Sequence, residues 1–513
     1  MMRAPSMLPA LLVVAGCVTG GARTGPGPAS TREERAMLRH VIDSLASAPE
    51  FRNAHWGILV VDPERGDTLY SRNAGKLFMP ASNMKIITSS VALAQLGADF
   101  SYRTTFLARG PIRDGVLAGD LLVAGRGDPT ISDHMWGDAM QPMHEMADSL
   151  AAHGVRRVAG SVVAVGNAFP GPVLGFGWSW SDLEDAYSAG VDELLFNEGF
   201  SEIRVRGGQT PGESASVETR PARTFPRLRA NVTTIASPPC PAFADSTPPC
   251  ATGMERPRRR NTLEVRKDTL HGGVIVSGTI VAGDSATLEI THTDPDLAYL
   301  SALTEALRDR GIMVDSSPHV ETDTVAVEGD TLYVAVSKPL REILPALMKP
   351  SQNQIAEALL RTLGLERAGV GTADSGQKVV ERQLETWGAP PDGSVIRDGS
   401  GLSRYDYLSP ETIVRVLDAM RRSPDAALFY DALPIAGVDG TIRTRMRGTP
   451  AENNVHAKTG SVSNARSLSG FVRTADGRTL IFSMLANNWT VFPTTVTGVM
   501  DVIAARLAAL HLQ

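Results

Sequence analysis

Two serine–lysine pairs in this 513-residue chain have the spacing that acyl-transfer chemistry uses: Ser82 with Lys85, and Ser375 with Lys378. In each pair the lysine follows the serine by three positions, so on a helix both side chains lie on one face and can meet. A neutral lysine in that position can accept the proton of the serine and make its oxygen a nucleophile. Either pair could therefore supply a nucleophile and its base.

The residues that follow the two serines predict different environments. Ser82 precedes a run, Met84 to Leu96, that is apolar enough to be a helix buried on most of its surface, where a lysine needs a functional reason to be present. The start of that helix adds a positive field that favours an anionic oxygen. Ser375 precedes an amphipathic helix, so Asp374 or Ser375 is expected to cap a surface helix. The sequence favours the Ser82 pair as the catalytic one.

Two later segments carry further polar groups, Ser351-Gln352-Asn353 and Lys458-Thr459-Gly460-Ser461. Acyl transfer needs backbone donors and polar side chains around the nucleophile and the developing oxyanion, and these segments can supply them. Each also has a structural alternative, because Ser351 could be a helix N-cap and Lys458 with Thr459 could belong to an exposed strand. The occurrence of all three segments in this order favours a catalytic site.

In combination, the segments match the signature S-x-x-K, S-x-N and K-T-G, so the chain resembles the serine β-lactamases and penicillin-binding proteins. The stretch from Lys85 to Ser351 is far longer than in a small β-lactamase. In this respect the chain is similar to the low-molecular-mass class C D-alanyl-D-alanine carboxypeptidases and endopeptidases, which carry an insertion there. The other segments that match are Gly127 to Pro129, Trp178 to Tyr187 with Asn197, Asp398 to Arg404, Gly437 to Thr441 with Arg445, and Ser469 to Phe471.

The resemblance implies hydrolysis of peptidoglycan stem peptides and cross-links, with β-lactams as inhibitors. Ser82 would be the nucleophile and Lys85 its base, whose pKa burial and the charge of Lys458 would lower. Ser351 would relay a proton to the leaving amine, and Asn353 would hold Lys85 and the substrate amide.

The resemblance also implies how the substrate is held. Lys458 and Thr459, at the start of Lys458-Thr459-Gly460-Ser461, would bind the terminal carboxylate, and the backbone N–H groups of Ser82 and Ser461 would form the oxyanion hole. In the family an acid, an aromatic residue and an arginine form a pocket for the free end of a diamino residue such as diaminopimelate. The matching positions here are Asp182, Tyr187 and Arg404, and the alternative is an ordinary surface acid and arginine.

The resemblance implies an α/β (α+β) fold like that of the transpeptidase and β-lactamase domain, with an antiparallel sheet flanked by helices. Apolar runs at 58–61 and 68–70 around turn residues predict a β-hairpin, and two alternating stretches around Asp476-Gly477 predict another. Short strand-like runs over 101–294 predict a large, mainly β insertion. The domain is therefore expected to comprise 34–100 and 295–513.

The N-terminus has the layout of a secretion signal, with one arginine, a short apolar run and small residues. We assign 1–17 to a signal peptide whose Val14-Ala15-Gly16-Cys17 ending resembles a bacterial lipobox, and 18–33 to a flexible tether. The protein is then exported and anchored to a membrane by a lipid on Cys17. The alternative is an ordinary cleaved signal with a chance cysteine.

The remaining composition limits partners and cofactors. Cys240 and Cys250 are expected to pair in an oxidising compartment, the alternative being two free thiols. A net charge of −6 with interspersed signs argues against nucleic acid as a partner. No metal-ligand spacing is present, so neither a metal nor an organic cofactor is predicted, and the sequence assigns no oligomeric state.

Two other functions fit parts of the pattern. A β-lactamase would need a positioned base for rapid deacylation, and no such residue is identifiable. A catalytically silent peptidoglycan-binding lipoprotein would not need the full set of Ser82, Lys85, Ser351, Asn353 and Lys458. A D-alanyl-D-alanine peptidase accounts for every motif.

Overall fold

The computed structural model describes residues 31–220, 228–236, 261–268, 273–321 and 328–512. The expected signal peptide, Cys17, and the expected pair Cys240 and Cys250 lie outside the described residues. Among the helices of the described part of the chain, none has the length and apolar character that crossing a membrane requires.

The helices and strands follow one another along the chain in several blocks. The α-helices are α1 Thr31–Ala46, α2 Met84–Leu96, α3 Asp133–Trp136, α4 Met140–Ala152, α5 Pro295–Asp309, α6 Leu340–Met348, α7 Asn353–Ala368, α8 Ala373–Thr386, α9 Pro410–Arg421, α10 Ala426–Ala432 and α11 Pro493–Ala508. The β-strands are β1 His55–Asp62, β2 Asp67–Arg72, β3 Arg103–Arg109, β4 Ile112–Arg113, β5 Val116–Leu117, β6 Asp120–Ala124, β7 Arg157–Val158, β8 Val162–Ala164, β9 Phe200–Arg206, β10 Ser216–Arg220, β11 Leu228–Ile235, β12 Glu264–Lys267, β13 Val274–Val281, β14 Ser285–Thr291, β15 Met313–Val314, β16 His319–Val320, β17 Asp330–Val336, β18 Ser394–Val395, β19 Tyr407–Leu408, β20 His456–Val462, β21 Ala465–Arg473 and β22 Thr479–Asn487.

The sheet that carries the site joins the two ends of the chain. Its strand order is β2-β1-β22-β21-β20, and all neighbours are antiparallel. Both predicted hairpins, β1 with β2 and β21 with β22, are present. The strand β20, which contains the K-T-G segment, lies at one edge of this sheet.

Helices cover both faces of this sheet because its strands are apolar on both sides. Along β1, Leu59 belongs to the core formed with α2, α7 and α9, whereas its neighbours Ile58 and Val60 belong to the core formed with α1 and α11. Successive side chains of a strand point to opposite faces, so one apolar run serves both cores. The central sheet is thereby buried on both faces.

The helix that follows the nucleophile candidate lies inside the first of these cores. A 3₁₀ turn, Ala81–Asn83, leads into α2, and the helix ends at Leu96 with Gly97 as its C-cap. Met84, Ile86 and Ile87 are fully buried there, as the apolar sequence predicted. A buried helix can hold the side chains of its first turn in fixed positions.

The region that interrupts this domain extends further than the sequence suggested. Strand β17, Asp330–Val336, pairs with β3, and the sheet order is β16-β8-β6-β3-β17. Helix α5 packs in the same core through Leu300 and Leu303. The boundary expected at residue 294 therefore differs from the structure, in which chain up to Val336 belongs to the interrupting region. The helical periodicity of α5 does not reveal which core buries it.

The interrupting region is also less purely β than expected. Helices α4 and α5 pack together on the sheet β16-β8-β6-β3-β17, through residues such as Met143. Two three-stranded sheets, β10-β9-β14 and β11-β13-β12, share a smaller apolar core that includes Ile203 and Val276.

Candidate active site

The serine and lysine of the first motif meet at the start of α2. Lys85 Nζ lies 3.0 Å from Ser82 Oγ, as the three-residue spacing predicted. The backbone of Ala81, directly before the serine, has a φ of 46°, in the left-handed region that most residues avoid. Strain of this kind persists where surrounding packing imposes it, and it is common at active sites. Ser82 is partly exposed, whereas Lys85 is fully buried.

Two acceptors from distant parts of the chain hold the lysine amine. Lys85 Nζ donates to Asn353 Oδ1 at 2.6 Å and to the carbonyl oxygen of Ser400 at 2.7 Å. A neutral amine has two N–H donors and one lone pair. With both donors engaged, the lone pair is left for the hydroxyl of Ser82. The geometry therefore suits an amine that accepts the serine's proton.

Burial allows the amine of Lys85 to lose its charge near neutral pH. It lowers the pKa of Lys85 to about 7, and the opposing influences are the negative charges of Asp398, Glu357 and Asp406, in that order. A base that titrates near neutral pH is suited to proton transfer under physiological conditions. Burial thus acts on Lys85 in the direction that the sequence predicted.

The second lysine lies on β20 and contacts the S-x-N segment. Lys458 Nζ donates to Ser351 Oγ at 2.7 Å and to the carbonyl oxygen of Thr459 at 3.0 Å. Burial, and then the charge of Lys85, hold the pKa of Lys458 well below its usual value. The expected effect of Lys458 on the pKa of Lys85 is not among the influences on Lys85, which are burial and three carboxylates. The charge of Lys85 instead acts on Lys458, and binding of an anion beside Lys458 would favour its protonated form.

The S-x-N segment forms the opposite wall at the start of α7. Ser351 has a φ of 71°, again in the left-handed region, and the cap of the helix is Gln352, whose side chain accepts from Ile355 N. The alternative that Ser351 is an N-cap is therefore wrong. Its hydroxyl points instead to Lys458, and the next residue but one, Asn353, holds Lys85.

The nucleophile turn packs tightly on the edge strand β20. Asn83 Nδ2 donates to the carbonyl oxygen of Lys458 at 2.8 Å. A Cβ at Gly460 would lie 2.5 Å from the carbonyl oxygen of Pro80 and 3.0 Å from Ser82 N, so only glycine permits this approach. The backbones of Ser82 and Ser461 consequently line the same space. An edge strand has backbone groups available to a ligand, as an oxyanion hole requires.

The cleft above these residues has a volume of about 320 Å³. It brings together eight of the predicted site residues: Ser82, Asp182, Tyr187, Ser351, Asn353, Arg404, Thr459 and Ser461. Arg404 donates to the carbonyl oxygen of Ser463 at 3.1 Å. Burial and the carboxylates of Asp185 and Asp182 raise the pKa of Tyr187, so its phenol stays neutral.

Residues that the sequence analysis did not assign to the site also line the cleft. Thr441 Oγ1 lies 2.7 Å from Thr459 Oγ1, and Leu402 and Ser463 are among the other residues of the wall. Thr441 lies in a matched segment, which was the signal available for it. Ser400 contributes a backbone carbonyl, which residue type alone cannot reveal.

The second serine–lysine pair is not built for catalysis. The cap of α8 is Thr372, whose side chain accepts from Ser375 N at 3.2 Å. The cap expected at Asp374 or Ser375 is therefore wrong. The helix α8 begins at Ala373, so its cap is the preceding residue, Thr372. Lys378 is exposed, whereas Lys85 is fully buried.

One group of acidic residues in the described ranges has carboxylate oxygens close enough to hold a cation. Asp192, Glu193 and Asp296 place them within 4.8 Å of one another. Burial and mutual repulsion raise the pKa of Glu193 to about 7 and that of Asp296 to about 9. Protonation of Glu193 and Asp296 reduces the repulsion among the three carboxyl groups and so accounts for their short separations. None of the three residues lines the cleft.

Comparisons with known proteins agree with this site. Residues 38–508 match the D-Ala-D-Ala carboxypeptidase 3 (S13) family. The chain is 35% identical over 488 residues to a D-alanyl-D-alanine carboxypeptidase of Actinomadura sp. (strain R39), covering 92% of this chain and 84% of that protein. It is 26% identical to the D-alanyl-D-alanine carboxypeptidase DacB of Haemophilus influenzae, covering 88% of each.

A solved structure shares the fold. The crystal structure of penicillin binding protein 4 from Haemophilus influenzae superposes with a TM-score of 0.76 at 24% identity, covering 91% of this chain and 99% of that chain. This likeness confirms the predicted fold class. With the family match over most of the chain, it also confirms the resemblance to low-molecular-mass class C penicillin-binding proteins. The chain belongs to the D-Ala-D-Ala carboxypeptidase 3 (S13) family.

Proposed function

We propose that this enzyme hydrolyses the D-alanyl-D-alanine bond of peptidoglycan stem peptides through an acyl-enzyme on Ser82. The observation that carries the proposal is the environment of Lys85. Its amine is buried, lies 3.0 Å from Ser82 Oγ and donates to two fixed acceptors, which leaves its lone pair for the serine.

Acylation follows from this arrangement. Neutral Lys85 takes the proton of Ser82, and the serine oxygen attacks the carbonyl carbon of the penultimate D-alanine. The N–H groups of Ser82 and Ser461 stabilise the oxyanion. When the C–N bond breaks, Ser351 gives its proton to the departing amine of the terminal D-alanine and takes up in its place the proton that Lys85 removed from Ser82. Water then attacks the ester, releases the shortened peptide and restores the serine.

Lys458 and Thr459 bind the carboxylate of the terminal D-alanine. Lys458 reaches Ser351 at 2.7 Å, so the anion site and the proton relay are adjacent. An arriving carboxylate compensates the charge of Lys458, which burial otherwise disfavours. The same contact would accept the carboxylate of a β-lactam, so such compounds are expected to acylate Ser82.

Asp182, Tyr187 and Arg404 select the acyl side of the substrate. All three line the cleft that contains Ser82. Asp182 pairs with the ammonium of a free diamino terminus, Arg404 with its carboxylate, and Tyr187 covers the aliphatic stem. An enzyme that recognises this end acts on cross-links as well as on free stems.

The substrate also implies a location outside the cytoplasm. The N-terminal segment supports export, with a lipid anchor on Cys17 and a disulfide between Cys240 and Cys250. These assignments rest on sequence patterns.

Mass spectrometry after incubation with benzylpenicillin tests the nucleophile. We expect one covalent adduct, on the peptide that contains Ser82, and none in Ser82→Ala. The matched control is Ser375→Ala, which should be labelled as the parent protein is. Labelling that survives in Ser82→Ala would exclude this nucleophile, and rapid turnover of the adduct would identify a β-lactamase.

A further inference from the structure

The segment Trp178–Tyr187, which carries Asp182, is attached to the rest of the site at both ends. At its first residue, Trp178 Nε1 donates to Asp398 Oδ2 at 2.9 Å. At its last residue, the carbonyl oxygen of Tyr187 accepts from Asn353 Nδ2 at 2.6 Å. Asn353 is one of the two groups that hold the amine of Lys85. Asn353 therefore links this end of the segment to the catalytic base.

The other end reaches the same base through Asp398. This fully buried carboxylate accepts from the backbone N–H groups of Ser400 at 3.1 Å, Gly401 at 2.6 Å and Ser403 at 2.6 Å. Together with Glu357 Oε1, which accepts from the N–H groups of Gly399 at 3.1 Å and Ser400 at 2.9 Å, these bonds hold the loop that carries the carbonyl oxygen of Ser400. That oxygen is the second acceptor of Lys85 Nζ, at 2.7 Å.

Packing at Gly177 brings the segment directly onto this loop. A Cβ there would lie 2.3 Å from a ring carbon of Tyr405 and 3.1 Å from Ser403 Oγ, and the φ of Gly177 is 75°. Only glycine tolerates both conditions. The indole of Trp178 is thereby brought to Asp398, although the two residues belong to different parts of the chain.

We propose that Trp178 is a positioning residue for the catalytic base: its N–H holds Asp398, Asp398 holds the loop that contains Ser400, and the Ser400 carbonyl orients the amine of Lys85. This inference rests on the proposed role of Lys85. It makes Trp178 necessary for the reaction with every acyl donor, including those that do not fill the pocket around Asp182.

The position of the Ser400 carbonyl also affects when Lys85 is neutral. The charged groups that act on Lys85 are Asp398, Glu357 and Asp406, which favour its protonated form. Lys458 also lies near it, and the charge of Lys85 lowers the pKa of Lys458. A carbonyl acceptor stabilises an ammonium more than an amine. If the loop loosens, this stabilisation weakens and the pKa of Lys85 falls. The Lys85 amine is then correctly oriented in a smaller fraction of the enzyme molecules, but it stays neutral down to a lower pH.

The test uses the variant Trp178→Phe, which keeps an aromatic ring and removes the N–H donor. We expect the rate constant for acylation by benzylpenicillin to fall about tenfold, the scale of one hydrogen bond to a charged group. The acidic limb of its pH profile should move to lower pH. The matched control is Trp180→Phe, two positions along the same segment, whose side chain is 86% exposed and which should change neither quantity.

Active fractions are measured by end-point titration with labelled penicillin, and the rate constant then refers only to folded enzyme. A parent-like rate in Trp178→Phe would overturn the proposal. So would a slower rate with an unchanged acidic limb, because a general loss of structure predicts that result. Ser82→Ala separates the two levels: if it abolishes labelling while Trp178→Phe behaves as the parent, only the positioning role fails.

Discussion

The titration of Lys85 should govern the pH dependence of acylation. Lys85 acts as a base in its neutral form, and burial lowers its pKa to about 7, so activity is present above that value and is lost as the pH falls below it. At pH 6 about one molecule in eleven carries the neutral amine, and at pH 8 about ten in eleven do. The second-order rate constant for acylation should therefore rise about tenfold between pH 6 and pH 8 and then level off.

Stopped-flow measurements with a fluorescent penicillin from pH 5 to pH 9 would provide this profile. The carboxylate of the penicillin stays ionised throughout, so the change reports on the enzyme. A lysine with its ordinary pKa would instead produce a rate that keeps rising to pH 9. Either that continued rise or a flat profile between pH 6 and pH 8 would refute the assignment of Lys85 as a base made neutral by burial.

Three substitutions test the binding and anchoring assignments. Lys458→Ala should weaken peptides with a free D-alanine carboxylate more than analogues in which that group is masked, and an equal loss in kcat/KM for both would assign Lys458 to general electrostatics. Asp182→Ala should slow peptides with a free diaminopimelate terminus by about tenfold to a few hundredfold, while acylation by penicillin hardly changes. A parallel fall in the two rates would mean that Asp182 supports the fold or the catalytic centre. Cys17→Ala should release an exported, catalytically unchanged protein from the membrane fraction, and retention there would contradict the lipid anchor.

Local sequence determined which residues could do chemistry and what elements surround them. The Ser82–Lys85 pair depends on helical spacing, and the two hairpins depend on alternating side chains around turn residues. Such patterns involve only residues that are close together in the sequence, so they can be identified without the tertiary structure. The order of the three motifs then identified the family, as the match over residues 38–508 confirms.

Features that depend on packing were less accessible. Helix α5 is amphipathic in either of two cores, and only the pairing of β17 with β3 places it in the interrupting region. The cap of α8 is Thr372 because the backbone enters the helix there, although Asp374 and Ser375 are equally good cap residues by type.

The catalytic base shows the division most clearly. The sequence alone determined that a lysine lies one helical turn from Ser82 in an apolar segment. Only the tertiary structure decided that Asn353 and the Ser400 carbonyl, 268 and 315 positions away from it, take both donors of its amine. A backbone carbonyl is common to all residue types, so its role depends on where the loop lies. The link from Trp178 to Asp398 has the same origin, because a hydrogen bond between residues 220 positions apart is formed only when tertiary packing brings their segments together.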